Sequence, residues 1–79
     1  MERRTRQRDV IWDVIRTAGR PLSAQELLAA GRAHLPRLGI ATVYRTINLL
    51  VDEGRLVPVE IPGQTARFEP ANLAHHHHF

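Results

Sequence analysis

The chain has 79 residues, a formal net charge of +3 and no cysteine, so it is one domain near the lower size at which a core holds without staples. Without thiolates it has neither disulfides nor a cysteine zinc site. No apolar run is long enough to span a bilayer, and the arginine-rich N-terminus lacks the apolar segment of a signal peptide, so the expected location is cytoplasmic with no membrane partner.

The charge layout says more than its sum. Residues 1–20 carry six arginines against three acids, whereas the remainder holds five of each, and no lysine occurs anywhere. Thr5 is the expected N-cap of a first helix running to about Ala18, with Ile11, Val14, Ile15 and Ala18 as its buried stripe. Gly19-Arg20-Pro21 stops it. Trp12 borders the stripe and reads as a packing residue.

Ser23-Ala24-Gln25-Glu26 has the spacing of a capping box. The second helix that follows puts Ala24, Leu27, Leu28 and Gly31 on one side and fades near Ala33. A turn from His34 to Gly39, with Pro36 as breaker, separates it from a third helix. His34 reads as a solvent-facing turn residue.

Ile40 to Glu53 is the stretch the others serve. At the helical period Ile40, Val43, Ile47, Leu50 and Val51 fall on one side, with Ala41, Thr42, Tyr44, Arg45 and Asn48 opposite. A solvating face would hold long charged residues of both signs. Small residues here let a backbone come close, Arg can fork onto a guanine edge or a phosphate, and Tyr and Asn can meet thymine methyls and adenine edges. Between Leu27 and Val51 there is no carboxylate, yet Arg32, Arg37 and Arg45 lie there, so nothing in this segment repels phosphates. Asp52 and Glu53 close the helix, with Arg55 nearby, and Gly54 stops it.

Beyond Gly54 the pattern alternates. Leu56 to Ile61 is the expected strand, with Val57, Val59 and Ile61 on one face; Pro62-Gly63-Gln64 is a turn, and Thr65 to Glu69 returns with Ala66 and Phe68 inward. Pro58 lacks an N–H, so its strand is an edge or carries a bulge. Arg67 reads equally as a phosphate contact or a solvated strand charge. Three helices and a hairpin make a winged helix-turn-helix, mainly α with a small β-hairpin. An enzyme is the weakest reading: there is one serine, no glycine-rich phosphate loop and no carboxylate pair with a pocket around it.

Thr5-Arg-Gln-Arg8, Ser23-Ala-Gln-Glu26, Gly39-Ile-Ala-Thr-Val-Tyr-Arg-Thr-Ile-Asn48, Asp52-Glu-Gly54, Phe68-Glu69 and the closing His75-His76-His77-His78 together resemble the N-terminal half of the ferric uptake regulator family. The resemblance implies a transcription factor, usually a repressor, that binds AT-rich inverted repeats in double-stranded DNA as a metal-loaded homodimer. It implies base and backbone contacts from Tyr44 and Arg45, phosphate contacts at or near Arg8 and Thr42, and a minor-groove contact from Arg3 or Arg4. Asn48 is a further candidate at the bases, with Arg6 and Arg37 candidates on the phosphates. Glu69 and His75, His76, His77 and His78 are tentative ligands for zinc, iron or manganese in a longer parent.

Family members continue past the His run into a dimerisation domain. The expectation is therefore a DNA-binding domain over 1–74 and the start of a His-rich metal-binding hinge over 75–79. Such a piece is expected to be mostly monomeric and to hold no metal tightly. Two other readings stay open: a winged-helix module that binds another protein through the same outer face, and a metal-binding fragment acting through Glu69 and the His run.

Overall fold

The computed structural model of the chain describes residues 2–71, with side chains from residue 6 onward. Six elements follow in order: α1 (Glu2–Ala18), β1 (Leu22–Ser23), α2 (Ala24–Gly31), α3 (Ile40–Asp52), β2 (Leu56–Val59) and β3 (Arg67–Pro70). This is the expected three-helix unit with a wing, and a short third strand completes the sheet.

Helix α1 begins three residues before Thr5, so Thr5 lies within the helix and is not its cap. No Gly or Pro interrupts Glu2 to Ala18, and the Glu, Arg and Gln residues in its first turns are good helix formers. Ile11 and Ile15 are fully buried and Val14 packs beside them, while Ala18 is exposed. The chain then turns away at Gly19, whose φ of 73° suits a residue without Cβ.

Ser23 caps α2 as expected. Its hydroxyl accepts from the Glu26 N–H at 3.2 Å, and its own N–H donates to Glu26 Oε1 at 3.0 Å. Helix α2 ends at Gly31, two residues short of the expected boundary, and the turn continues its hydrogen bonding through Leu35 N–H to the Gly31 carbonyl at 2.8 Å. Leu38, in the turn before α3, is only 2% exposed and belongs to the core. A Cβ at Gly31 would stand 2.6 Å from its Cδ2, so the glycine is what lets Leu38 fill this space.

Val43, Ile47 and Leu50 of α3 are buried, with Ile40 and Val51 packed against the same core. A Schellman arrangement ends the helix, with Gly54 N–H donating to the Val51 carbonyl and Arg55 N–H to that of Leu50, and Gly54 has a φ of 78°.

The sheet runs in the order β1-β3-β2, antiparallel throughout. Pro58 pairs with Phe68 in an uninterrupted ladder on the outer strand, so the proline marks an edge and not a bulge. The register puts Leu56, Phe68 and Pro70 on the core-facing side, with Leu56 at 1% exposure. Val57 and Val59 occupy the opposite face. Ile61 is outside the strand and 39% exposed, because the chain leaves the ladder after Val59.

No helix among the described residues is long and apolar enough to cross a membrane.

Candidate nucleic-acid interface

Helix α3 is fixed from below by Val43, Ile47 and Leu50, which leaves Ala41, Tyr44, Arg45 and Asn48 exposed on the opposite side and Thr42 half-buried between. Tyr44 is 45% exposed, unusually open for a large aromatic residue that could have packed. The α3 N-cap is Gly39, which provides no side-chain oxygen, and no acid occupies the first turn. The first-turn N–H groups are therefore open to an acceptor from outside.

Along the flank of α3 lies a depression shared with α1. Gln7 and Arg8 line it from α1, and Thr42, Arg45, Thr46, Asn48, Leu49 and Asp52 line it from α3. The sequence-derived candidates Arg8, Thr42, Arg45 and Asn48 thus share one concave surface. Arg6 and Arg37 share a second depression with Gln7, Leu35, Pro36 and Leu38. Gln7 is half-buried and common to both, and sequence reasoning gave it no role of its own, since a lone glutamine carries no pattern.

The candidates are not equivalent electrostatically. Arg8 lies 3.8 Å from Glu53, and that carboxylate is also 3.7 Å from Arg55. Arg55 in turn stacks over Trp12 at 5.8 Å from the ring centroid, which accords with a packing role for Trp12. Arg67 is engaged within the fold and not simply solvated: it donates to Glu26 at 2.7 Å and is 28% exposed. Pairing of β3 with β1 sets Arg67 opposite Ser23, next to the start of α2, and so brings it to Glu26. The Ser23 N–H does most to hold the Glu26 carboxyl below its ordinary value; desolvation opposes it next, and the Arg67 and Arg20 guanidinium groups add to the lowering.

Arg3 and Arg4 fall on the backbone of α1, and their side chains lie outside the described residues. His75, His76, His77 and His78 lie outside them as well. Glu69 is half-buried in β3 opposite Val57. Among the described residues no group of three or more His, Cys, Asp or Glu side chains gathers to hold a metal, so Glu69 alone does not make a site.

Known proteins share this sequence pattern and fold. The sequence profile of the ferric uptake regulator family matches residues 2–79. A ferric uptake regulation protein of Brucella suis is 33% identical over 74 residues, which are 94% of this chain and 52% of that protein. The chain thus spans about half the length of the curated relative it matches. Among solved structures, the Helicobacter pylori ferric uptake regulator superposes with a TM-score of 0.79 at 29% identity, over 84% of this chain and 44% of that one. A zinc uptake regulator of M. tuberculosis gives 0.77 at 29% identity, over 87% and 54%. These relatives are regulators, not enzymes, in line with the expectation for this chain.

Proposed function

The chain belongs to the ferric uptake regulator family, and from that premise we propose that it is the DNA-reading unit of a metal-responsive transcriptional regulator. Helix α3 enters the major groove of an AT-rich inverted repeat. Tyr44 and Arg45 meet base edges, with Asn48 and Thr42 beside them, while Arg6, Arg8, Arg37 and the uncapped N-terminus of α3 position the backbone. Arg3 or Arg4 reaches the adjacent minor groove from the start of α1. In the parent protein the partner is a second copy, which doubles the contact over the two half-sites.

The observation that carries this reading is the outer face of α3: exposed Ala41, Tyr44, Arg45 and Asn48 on a helix whose first three turns hold no carboxylate. No step is routed through a metal here, because Glu69 lacks companion ligands among the described residues.

Fluorescence anisotropy against an inverted-repeat duplex and a scrambled one tests the proposal. Arg45→Ala is expected to cost about 1–3 kcal/mol on the repeat and to narrow the gap between the two duplexes, whereas Arg8→Ala weakens both alike. Equal losses on both duplexes for both variants would contradict the assignment of roles. Absence of salt-sensitive binding by the unaltered chain would transfer the outer face of α3 to a protein partner.

A further inference from the structure

The described arginines divide into two groups. Arg8 and Arg55 face Glu53, Arg20 and Arg67 face Glu26, Arg16 pairs with Asp13, and Arg32 donates through Nε to the Leu38 carbonyl at 2.8 Å. Arg6, Arg37 and Arg45 have no such partner among the described residues. Arg45 belongs to the reading face of α3. The other two come from different elements and line one depression.

Arg6 and Arg37 line this depression with no carboxylate among its lining residues, so the described residues leave their guanidinium donors open to an anion. The arrangement is nevertheless built on firm ground. Leu38 anchors the turn in the core, Leu38 N–H donates to the Leu35 carbonyl at 2.9 Å, and Arg32 ties down the Leu38 carbonyl from the other side. Arg37 is therefore displayed from a stiff turn. Arg6 is displayed from a helix whose next turns are anchored by Ile11 and Ile15. Leu35, Pro36 and Leu38 line the depression between them with apolar surface, which lowers the local dielectric and strengthens attraction for an anion.

We infer that Arg6 and Arg37 act together as one subsite for a single phosphodiester of the DNA strand bordering the groove that α3 enters. Through Gln7 this subsite adjoins the reading depression, so holding that phosphate fixes how far along the duplex α3 is set. The inference rests on the DNA-reading proposal and deepens it: the two arginines serve one phosphate, not two. A guanidinium fork suits phosphate oxygens, and two forks displayed from different elements on one depression leave the group little freedom.

The test is an anisotropy titration of the unaltered chain, Arg6→Ala, Arg37→Ala and the double variant. The ligands are a series of inverted-repeat duplexes, each with one phosphate replaced by a neutral methylphosphonate. Each single substitution is expected to weaken binding on the order of tenfold on repeat and scrambled duplexes alike. Both are expected to become insensitive to the same methylphosphonate position. The double variant should reduce the slope of log K against log salt by about 0.9, the value for one phosphate. Two different insensitive positions, or a slope reduced by about 1.8, would show two independent contacts and overturn the inference, as would unchanged affinity in both single variants. Failure of the unaltered chain to bind any duplex removes the DNA reading itself, a result visible before any variant is compared. Both side chains lack intramolecular partners among the described residues, so the variants are expected to unfold at the temperature of the unaltered chain.

Discussion

Replacing Leu38 by Ala asks whether a turn residue belongs to the core. Leu38 is 2% exposed and lies against Gly31 at the end of α2, with Arg37 next to it in the chain. Leucine-to-alanine changes in cores cost about 2–5 kcal/mol, the larger values where the cavity does not collapse. A turn can relax more than a helix interior, which favours the lower part of that range, about 2–3 kcal/mol. A domain of this length has a total stability on the order of 4–12 kcal/mol, so the loss is a large fraction of it. At about 4–8 °C per kcal/mol, the melting temperature should fall by about 10–20 °C. Far-UV circular dichroism during heating and urea titration measures both quantities. The control is Leu49→Ala, the same chemical change on α3 at a residue 42% exposed, expected within about 0.5 kcal/mol of the unaltered chain. If Leu38→Ala matched that control, the account of the turn as part of the core would be wrong.

Ser23→Ala removes the hydroxyl that caps an eight-residue helix, and a loss of about 1 kcal/mol is expected by urea denaturation; no change would mean that the reciprocal Glu26 bond suffices. Glu26 supplies a pH dependence. Its carboxyl is lowered in the folded state, so its contribution is complete above the unfolded value and is lost as pH falls through the lower folded value. The stability advantage of the unaltered chain over Glu26→Gln should therefore be full near neutral pH and shrink once the pH drops below 4.5; a difference that stayed constant down into acid would refute the linkage. Glu53→Gln releases Arg8 from a pair at 3.8 Å. Since such exposed pairs are worth about 0–1 kcal/mol, DNA affinity should rise by up to about fivefold on every duplex alike, and a fall in affinity would contradict the view that Glu53 competes with phosphate.

Much of the architecture was legible because it rests on local rules. The buried positions of α2 and α3 follow the helical period, the Ser23 box and the Gly54 stop are short-range devices, and Pro58 marks an edge. The exposed face of α3 was legible for the same reason, being the complement of the buried one. What was hidden depends on contacts distant in sequence. The two-residue strand β1 has no periodicity to detect and exists because β3 pairs with it. Arg67 meets Glu26 across 41 positions of sequence, so no local pattern could choose between its two readings. Leu38 looked like part of a polar turn because its burial is decided by Gly31, seven residues earlier. The start of α1 was missed because a strong cap signal at Thr5 drew the boundary, whereas good helix formers before it simply continue the helix.

Net charge marked the N-terminal segment as basic, but the fold decides which cations have charge to offer. Most of the described arginines are paired with Glu26, Glu53, Asp13 or a carbonyl, so less of their charge is open to a ligand. Those without such partners border the N-terminal part of α3, while Asp52 and Glu53 occupy its other end. The helix is therefore polarised along its length, in the sense opposite to what its own dipole would favour at the C-terminus. If the chain docks on DNA as proposed, a phosphate backbone meets free cations at the Gly39 end, whereas at the other end Arg8 and Arg55 are shared with Glu53. On that proposed reading the asymmetry favours docking with the N-terminus of α3 leading into the groove, so charge would bias orientation on the duplex before any base is read.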